Sequence, residues 1–143
     1  MRIVFVRHGE PNYEKDCLTA TGKIQAELVA ERLRDENISE IWASPLGRAA
    51  ETAEYTGRLL GMPVHTLDFM REVNWGSTDG NPLFADGHPW FIADEMARRG
   101  MELNTPDWRE SPFFRTNSVV ECIDRIDRGI DEWLEDFGYK RNG

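Results

Sequence analysis

The stretch Ile3-Val4-Phe5-Val6-Arg7-His8-Gly9-Glu10 joins a short apolar run to a histidine that stands between a cation and a glycine. A short, continuously apolar run of this kind predicts a strand that is buried on both faces. His8 is then placed at the end of a buried strand, where open α/β sheets bind their ligands. Gly9 lets the backbone turn sharply and approach a bound group closely. On this stretch alone, His8 is either a reacting group or a hydrogen-bonded part of the scaffold.

Composition limits the classes of function. The chain has 143 residues, of which 40% are hydrophobic, and this is enough for one domain with a core. Its 26 acidic and 17 basic residues give a net charge of −9, which disfavours nucleic-acid and anionic-membrane partners. An anionic substrate would need a local cluster of arginines. Because no signal peptide or membrane span is recognisable, we expect a cytoplasmic protein.

Cysteine and histidine are too sparse to predict a metal or cofactor site. Cys17 and Cys122 are far apart and lie in no metal-ligand spacing, so we expect two free thiols. The three histidines, His8, His65 and His88, are scattered along the chain. We therefore predict no metal and no cofactor, and a structural role for His65 in a strand.

Strands and helices alternate after the first strand. Thr19 predicts a helix N-cap, and the apolar residues that follow it at helical spacing are Ile24, Leu28, Val29 and Leu33. A second strand is predicted over residues 38–43 and a third over residues 62–67. This alternation predicts an α/β fold with a mainly parallel sheet in a layered arrangement.

The second helix carries a candidate anion-binding residue. Ser44 and Pro45 predict its start, Gly61 predicts its end, and Arg48 falls in its first turn. Free backbone N–H groups at a helix N-terminus attract anions, Gly47 keeps the approach open, and an arginine adds a planar fork that matches phosphate oxygens. The alternative for Arg48 is a solvated surface arginine.

An irregular insertion is predicted at about residues 77–117, ahead of a well-marked last helix. Its large aromatic residues either line a substrate pocket or anchor the insertion to the core, and we favour anchoring; they are Phe84, Trp90, Phe91, Trp108, Phe113 and Phe114. A short helix is predicted over residues 91–99. Ser118 and Glu121 predict a capping box for the last helix. Its apolar positions repeat at helical spacing and are Val119, Ile123, Ile126, Ile130, Trp133 and Phe137.

Four segments, taken in order, resemble the histidine phosphatase superfamily, also called the phosphoglycerate mutase-like family. They are Arg7-His8-Gly9-Glu10, then Leu18-Thr19-x-x-Gly22-x-x-Gln25-Ala26, then Ser44-Pro45-Leu46-x-Arg48-Ala49-x-x-Thr52-Ala53, then Glu72 ahead of Trp75-Gly76. The resemblance is specific over residues 1–76 and looser into the last helix. It implies a three-layer phosphoglycerate mutase-like α/β fold and a small phosphorylated metabolite as substrate.

The resemblance also implies a role for each matching residue. His8 would be the nucleophile that becomes phosphohistidine, Arg7 and Arg48 would clamp the transferring phosphoryl group, and Glu72 would be the general acid. The His8 ring should be held at its other nitrogen by a backbone carbonyl. Gly9 and Asn12 would add phosphate contacts, although Asn12 is displaced from the asparagine position of the family.

One departure from the family concerns the second active-site histidine, which follows the last helix in family members. This chain has no such residue, so the resemblance implies a single incomplete domain over residues 1–143, truncated before a strand that would lie beside residues 1–6. That strand edge would then be exposed. His88 is the only candidate substitute, and it matches no family motif.

Three functions remain open at this stage. The leading one is a phosphomonoester hydrolase acting through phosphohistidine, because residues 12–18 lack the Trp-x-Asp pattern of mutase members. The alternatives are phosphoglycerate mutase-type transfer and an inactive phosphate-binding fragment. A homodimer is one arrangement that the sequence leaves open.

Overall fold

The computed structural model describes residues 1–73, 97–98, 100, 107–110, 114–115 and 117–142. The chain divides into two compact units, Met1–Glu72 and Val73–Gly143, each with its own elements. None of the helices in these described ranges is long and apolar enough to cross a membrane. The prediction of a single incomplete domain stays a prediction.

The first unit contains four short strands and two helices. The strands are β1 (Pro11–Asn12), β2 (Cys17–Leu18), β3 (Ile41–Ala43) and β4 (Val64–Thr66), and the helices are α1 (Ala20–Leu33) and α2 (Gly47–Leu60). β1 pairs with β2 in an antiparallel ribbon, whereas β3 and β4 pair in parallel with Ile41 opposite Val64. The predicted β-α-β unit is confirmed, with both of its strands shorter than predicted. The antiparallel ribbon lies between the N-terminal apolar run and α1, where no strand was predicted.

Helix α1 begins as predicted but buries a different face. The Thr19 hydroxyl accepts a hydrogen bond from Gly22 N at 3.0 Å, which confirms the N-cap. Ile24 and Leu28, two of the apolar residues at helical spacing, are 60% and 64% exposed. The buried positions of α1 are its small residues Gly22, Ala26 and Ala30. Small side chains allow close approach, and α1 packs against α2.

The apolar run at the start of the chain is not a buried strand, so that prediction is wrong. Residues 1–9 form no strand, and Phe5 is 82% exposed. Within the described part of the chain, no strand lies against this run. Because a strand needs a neighbour for its ladder of hydrogen bonds, the run forms no strand and is solvent-exposed.

The second unit is built around helix α3 (Val119–Glu135) and a 3-10 turn, Trp108–Glu110. Phe114 and Val119 are buried together, and Trp108 meets Phe114 edge to face at 5.0 Å between ring centroids. Trp108 and Phe114 therefore anchor this end of the predicted insertion to α3, in agreement with the anchoring role that we favoured. Their predicted companions Phe84, Trp90, Phe91 and Phe113, most of the predicted 91–99 helix, and His88 lie outside the described residues.

The N-terminus of α3 is capped differently from the prediction. Ser118 makes no side-chain cap hydrogen bond, so the capping box is absent. Asn117 instead accepts from Val119 N through its Oδ1 atom at 3.0 Å. The predicted apolar stripe of α3 is buried at Val119 and half-buried at Ile123 and Ile126. Cys122, on the same helix, is buried, and neither it nor Cys17 forms a disulfide bond.

Candidate functional site

The His8 ring is fixed by the backbone next to it. Its Nδ1 atom lies 2.8 Å from the carbonyl oxygen of Gly9. Because a carbonyl oxygen only accepts, Nδ1 carries the proton and donates it, so the neutral ring keeps its lone pair on Nε2. The expected carbonyl contact is therefore present. It leaves Nε2 as the nitrogen that can attack an electrophile.

Gly9 is held by two neighbouring elements. Its N–H donates to the Thr52 hydroxyl of α2 at 3.2 Å. A Cβ at Gly9 would lie only 2.5 Å from the carbonyl oxygen of Gly22 in α1, so no other residue fits here without a backbone shift. The sequence predicted a close approach of Gly9 to a bound group, whereas the structure shows a close approach of Gly9 to the backbone of α1.

A pocket of about 120 Å³ opens beside His8. It is lined by Arg7, His8, Gly9, Gln25, Ala26, Val29 and Thr52. Arg7 is exposed, and no carboxylate in the described ranges pairs with its guanidinium. No role was predicted for Gln25 and Thr52, although both lie inside the quoted motifs. The pocket therefore combines a nucleophilic ring nitrogen with an uncommitted cation.

Arg48 is buried, so the alternative of a solvated surface arginine is wrong. Its residue surface is 8% exposed, and its Nη1 atom donates to Asp16 Oδ1 at 2.8 Å. Nη2 donates to the Glu72 carboxylate, and the guanidinium lies 5.3 Å from the centre of the Tyr13 ring. Its Nε–H is buried and has no hydrogen-bond partner among the residues described. A buried donor without an acceptor is costly, and a bound anionic oxygen would satisfy it.

Asp16 is a site residue that the sequence reasoning missed. Its Oδ2 atom accepts from Gly47 N at 2.6 Å and so caps α2. The predicted helix start at Ser44 and Pro45 is wrong, because α2 begins two residues later, at Gly47. Leu46 is its N-cap residue and makes no side-chain cap hydrogen bond. The backbone hydrogen bond from Gly47, followed by the contacts with Arg48, lowers the pKa of Asp16 below its ordinary value. No sequence signal near Asp16 marks this residue, because its partners lie on α2, more than thirty positions later.

The predicted site residues fall into two groups. Arg7, His8 and Gly9 line the pocket, whereas Glu72 is paired with Arg48, which also binds Asp16. Thr52 connects the groups, since its hydroxyl accepts from Gly9 N and donates to the Arg48 carbonyl at 2.7 Å.

Asn12 and His65, the other two residues with predicted roles, lie elsewhere in the first unit. The Asn12 side chain accepts from Lys15 N at 3.1 Å in a local turn. His65 is exposed on β4, where its ring stacks on Trp42 at 4.8 Å between centroids. No group of three or more potential metal ligands occurs within the described ranges.

Known proteins resemble this chain over most of its length. The profile of the histidine phosphatase superfamily, branch 1, matches residues 3–141. A "probable phosphoglycerate mutase GpmB" of Yersinia enterocolitica is 36% identical over 94% of this chain and 64% of its own length. The Yersinia pestis protein of the same name is 34% identical over the same shares. The chain thus spans less than two thirds of these relatives.

Solved structures give the same picture of the fold. A mycobacterial glucosyl-3-phosphoglycerate phosphatase in complex with inorganic phosphate superposes with a TM-score of 0.56 and 26% identity. The superposition covers 90% of this chain and 60% of the phosphatase. The α/β fold predicted from the strand and helix order is thereby confirmed as phosphoglycerate mutase-like.

Proposed function

Because the chain belongs to the histidine phosphatase superfamily, we propose that it hydrolyses a small phosphomonoester through a phosphohistidine at His8. The observation that carries this proposal is the hydrogen bond from His8 Nδ1 to the Gly9 carbonyl, which directs the ring lone pair to Nε2. The uncommitted guanidinium of Arg7 lines the same pocket. A neutral imidazole beside a fixed cation is suited to attack on a phosphoryl group.

In the first half-reaction, the Nε2 lone pair of His8 attacks phosphorus and the bond from phosphorus to the ester oxygen breaks. The leaving oxygen takes a proton from Glu72, acting as a general acid. Arg7 and Arg48 neutralise charge on the other phosphoryl oxygens. In the second half-reaction, water attacks the phosphohistidine, the bond from phosphorus to nitrogen breaks, and Glu72 takes back the proton. Inorganic phosphate and free His8 are left.

Phosphoryl transfer within a phosphoglycerate-type substrate is the second candidate. Here a hydroxyl of the substrate, rather than water, would attack the phosphohistidine. The names of the Yersinia relatives favour this function, and that of the mycobacterial structure favours hydrolysis. We place hydrolysis first because residues 12–18 read Asn-Tyr-Glu-Lys-Asp-Cys-Leu and lack a Trp-x-Asp pattern.

Phosphate binding without turnover is the third candidate. It draws support from the buried Arg48 Nε–H, which has no acceptor in the described part of the chain. Binding at this donor would need neither His8 nor Glu72 to react.

The test is hydrolysis of p-nitrophenyl phosphate by the wild-type chain, His8→Ala and His65→Ala, each with and without EDTA. We expect His8→Ala to reduce the rate to background, and His65→Ala and EDTA to leave it unchanged. An acid-labile, alkali-stable phosphate on His8 would identify the intermediate. Wild-type rates in His8→Ala, or chelator inactivation reversed by a divalent cation, would overturn the mechanism. Phosphate binding with no hydrolysis would instead support the third candidate.

A further inference from the structure

The loop between β1 and β2 approaches the start of α2 so closely that only glycine fits at Gly47. A Cβ at this position would lie 2.1 Å from the Asp16 carbonyl oxygen. Asp16 itself has a φ of 46°, in the left-handed region that residues other than glycine seldom adopt. This backbone conformation and the close approach together place the Asp16 carboxylate at the end of α2.

The Asp16 carboxylate uses both of its oxygens on the same helix. Oδ2 accepts from Gly47 N at 2.6 Å, and Oδ1 accepts from Arg48 Nη1 at 2.8 Å. One carboxylate therefore ties the guanidinium to the backbone of its own helix. A long, flexible arginine side chain loses most of its rotamer freedom when it is held in this way.

The other carboxylate on Arg48 is held much less firmly. The Glu72 side chain is 70% exposed, whereas that of Asp16 is 40% exposed. Glu72 also comes from the segment after β4 and has no contact with the α2 backbone among the hydrogen bonds of the described residues. Asp16 is thus the fixed partner of Arg48.

We propose that Asp16 is a positioning residue, which holds the Arg48 guanidinium in the orientation that presents its unpaired Nε–H to a phosphoryl oxygen. This inference rests on the proposed function, because it takes Arg48 as a phosphoryl ligand. Asp16 acts through Arg48 and contacts no substrate itself. Its effect on anion binding therefore exists only while Arg48 is present.

The experiment is a double-mutant cycle on the binding of orthovanadate, measured by isothermal titration calorimetry. Its members are the wild-type chain, Asp16→Glu, Arg48→Ala and the double variant. Asp16→Glu keeps the negative charge, so repulsion of the anion is preserved, but moves the carboxylate by one methylene group. The partly exposed side chain leaves room for the addition.

We expect Asp16→Glu to weaken vanadate binding about tenfold, the effect of one hydrogen bond to a charged group. The same substitution in the Arg48→Ala background should change the dissociation constant less than twofold. The matched control is Glu51→Asp, since Glu51 of α2 also ties this ribbon to the helix, by accepting from Leu18 N at 2.7 Å. Among the described residues no hydrogen bond or ion pair joins Glu51 to Arg48, and we expect Glu51→Asp to change the dissociation constant less than twofold.

Several outcomes would overturn the inference. They are unchanged or tighter vanadate binding in Asp16→Glu, an equal effect in both backgrounds, and an equal effect of Glu51→Asp. Should Asp16→Glu not fold by circular dichroism, Asp16→Asn replaces it in the cycle, with the same dependence on Arg48 expected. If Arg48→Ala binds vanadate as the wild type does, the proposed phosphoryl clamp fails. If Arg48→Ala weakens binding but Asp16 variants do not, only the positioning role fails.

Discussion

Thr52 joins the two groups of candidate site residues through one hydroxyl. This hydroxyl accepts from Gly9 N and donates to the Arg48 carbonyl, and Thr52 is only 5% exposed. The packing of α2 against the His8 loop therefore depends on a polar contact. Loss of the hydroxyl would leave the buried Gly9 N–H without an acceptor.

Thr52→Val keeps the shape of the side chain and removes that acceptor. We expect the free energy of unfolding to fall by about 1–3 kcal/mol, the usual cost of an unsatisfied buried donor. The measurement is urea denaturation followed by circular dichroism. Thr56→Val, buried one turn later in α2, is the control for losing a helical threonine. Equal losses in both variants would mean that the Gly9 contact contributes nothing particular.

At the scale of elements, α1 is locked against the His8 loop by Gly22. A Cβ at Gly22 would lie 2.2 Å from the Glu10 carbonyl oxygen. Replacing a helical glycine by alanine normally gains about 1 kcal/mol of helix propensity. Here the clash with backbone outweighs that gain.

We expect Gly22→Ala to lower the free energy of unfolding by about 1–3 kcal/mol, as overpacked sites do. Gly57→Ala in α2 is the matched comparison, since the nearest atom to its Cβ would be the Val64 Cγ2 atom, at 2.8 Å, at the end of a side chain. Gly57→Ala should lower the free energy of unfolding by less than Gly22→Ala does. Urea denaturation measures both, and a Gly22→Ala chain as stable as the wild type would contradict the close approach.

The cap of α2 makes the stability of this helix depend on pH. The folded state lowers the pKa of Asp16, so its stabilisation is fully present above the ordinary aspartate value of about 3.9. It is lost as the pH falls from there through the lowered value. Stability should therefore fall less steeply below pH about 4 in Asp16→Asn than in the wild type.

The comparison uses urea midpoints measured between pH 2 and pH 6, a range of roughly two pH units on either side of the ordinary aspartate pKa. Arg32 and Arg2 also lower the pKa of Glu36, which titrates in both chains. The difference between the two chains therefore isolates Asp16. Parallel profiles would show that the cap does not stabilise the folded state.

The sequence predicted those elements whose signals are local. The Thr19 cap and the Gly61 end of α2, with its φ of 66°, follow from neighbouring residues. The parallel strand pair follows from the alternation of strands and helices along the chain. The buried strand predicted before Arg7 was wrong, because its formation depends on what another part of the chain places against it.

Within the candidate site, too, the sequence predicted local contacts and missed a contact between distant segments. The carbonyl contact of His8 is made with the next residue and was expected. Asp16 was missed, because its role exists only once the loop and α2 have met. The roles of Arg7, Arg48 and Glu72 remain predictions.

At the scale of the whole molecule, the first unit buries Leu18, Ile41 and Leu67 but exposes its N-terminal apolar run, whereas the second unit buries Phe114 and Val119. Phe114 is 3% exposed, whereas Phe5 is 82% exposed. The same substitution at both positions should therefore have very different effects.

Phe114→Ala should lower the free energy of unfolding by about 3–5 kcal/mol, because it leaves a cavity beside Val119 and Trp108. Phe5→Ala should change it by less than about 0.5 kcal/mol. Guanidinium denaturation monitored by circular dichroism compares them. A large loss for Phe5→Ala would show that the N-terminal run is packed in solution.

The Asp16 cap also bears on the order of events during folding. The first turn of α2 is completed by a residue 31 positions earlier in the chain, beyond the reach of local helix formation. Closing a loop of that length costs entropy before the contact stabilises anything. A folding chain therefore completes the N-terminal cap of α2 only when the β1–β2 ribbon docks on this helix. The Arg48 guanidinium is therefore oriented in the same step that brings the ribbon onto the helix.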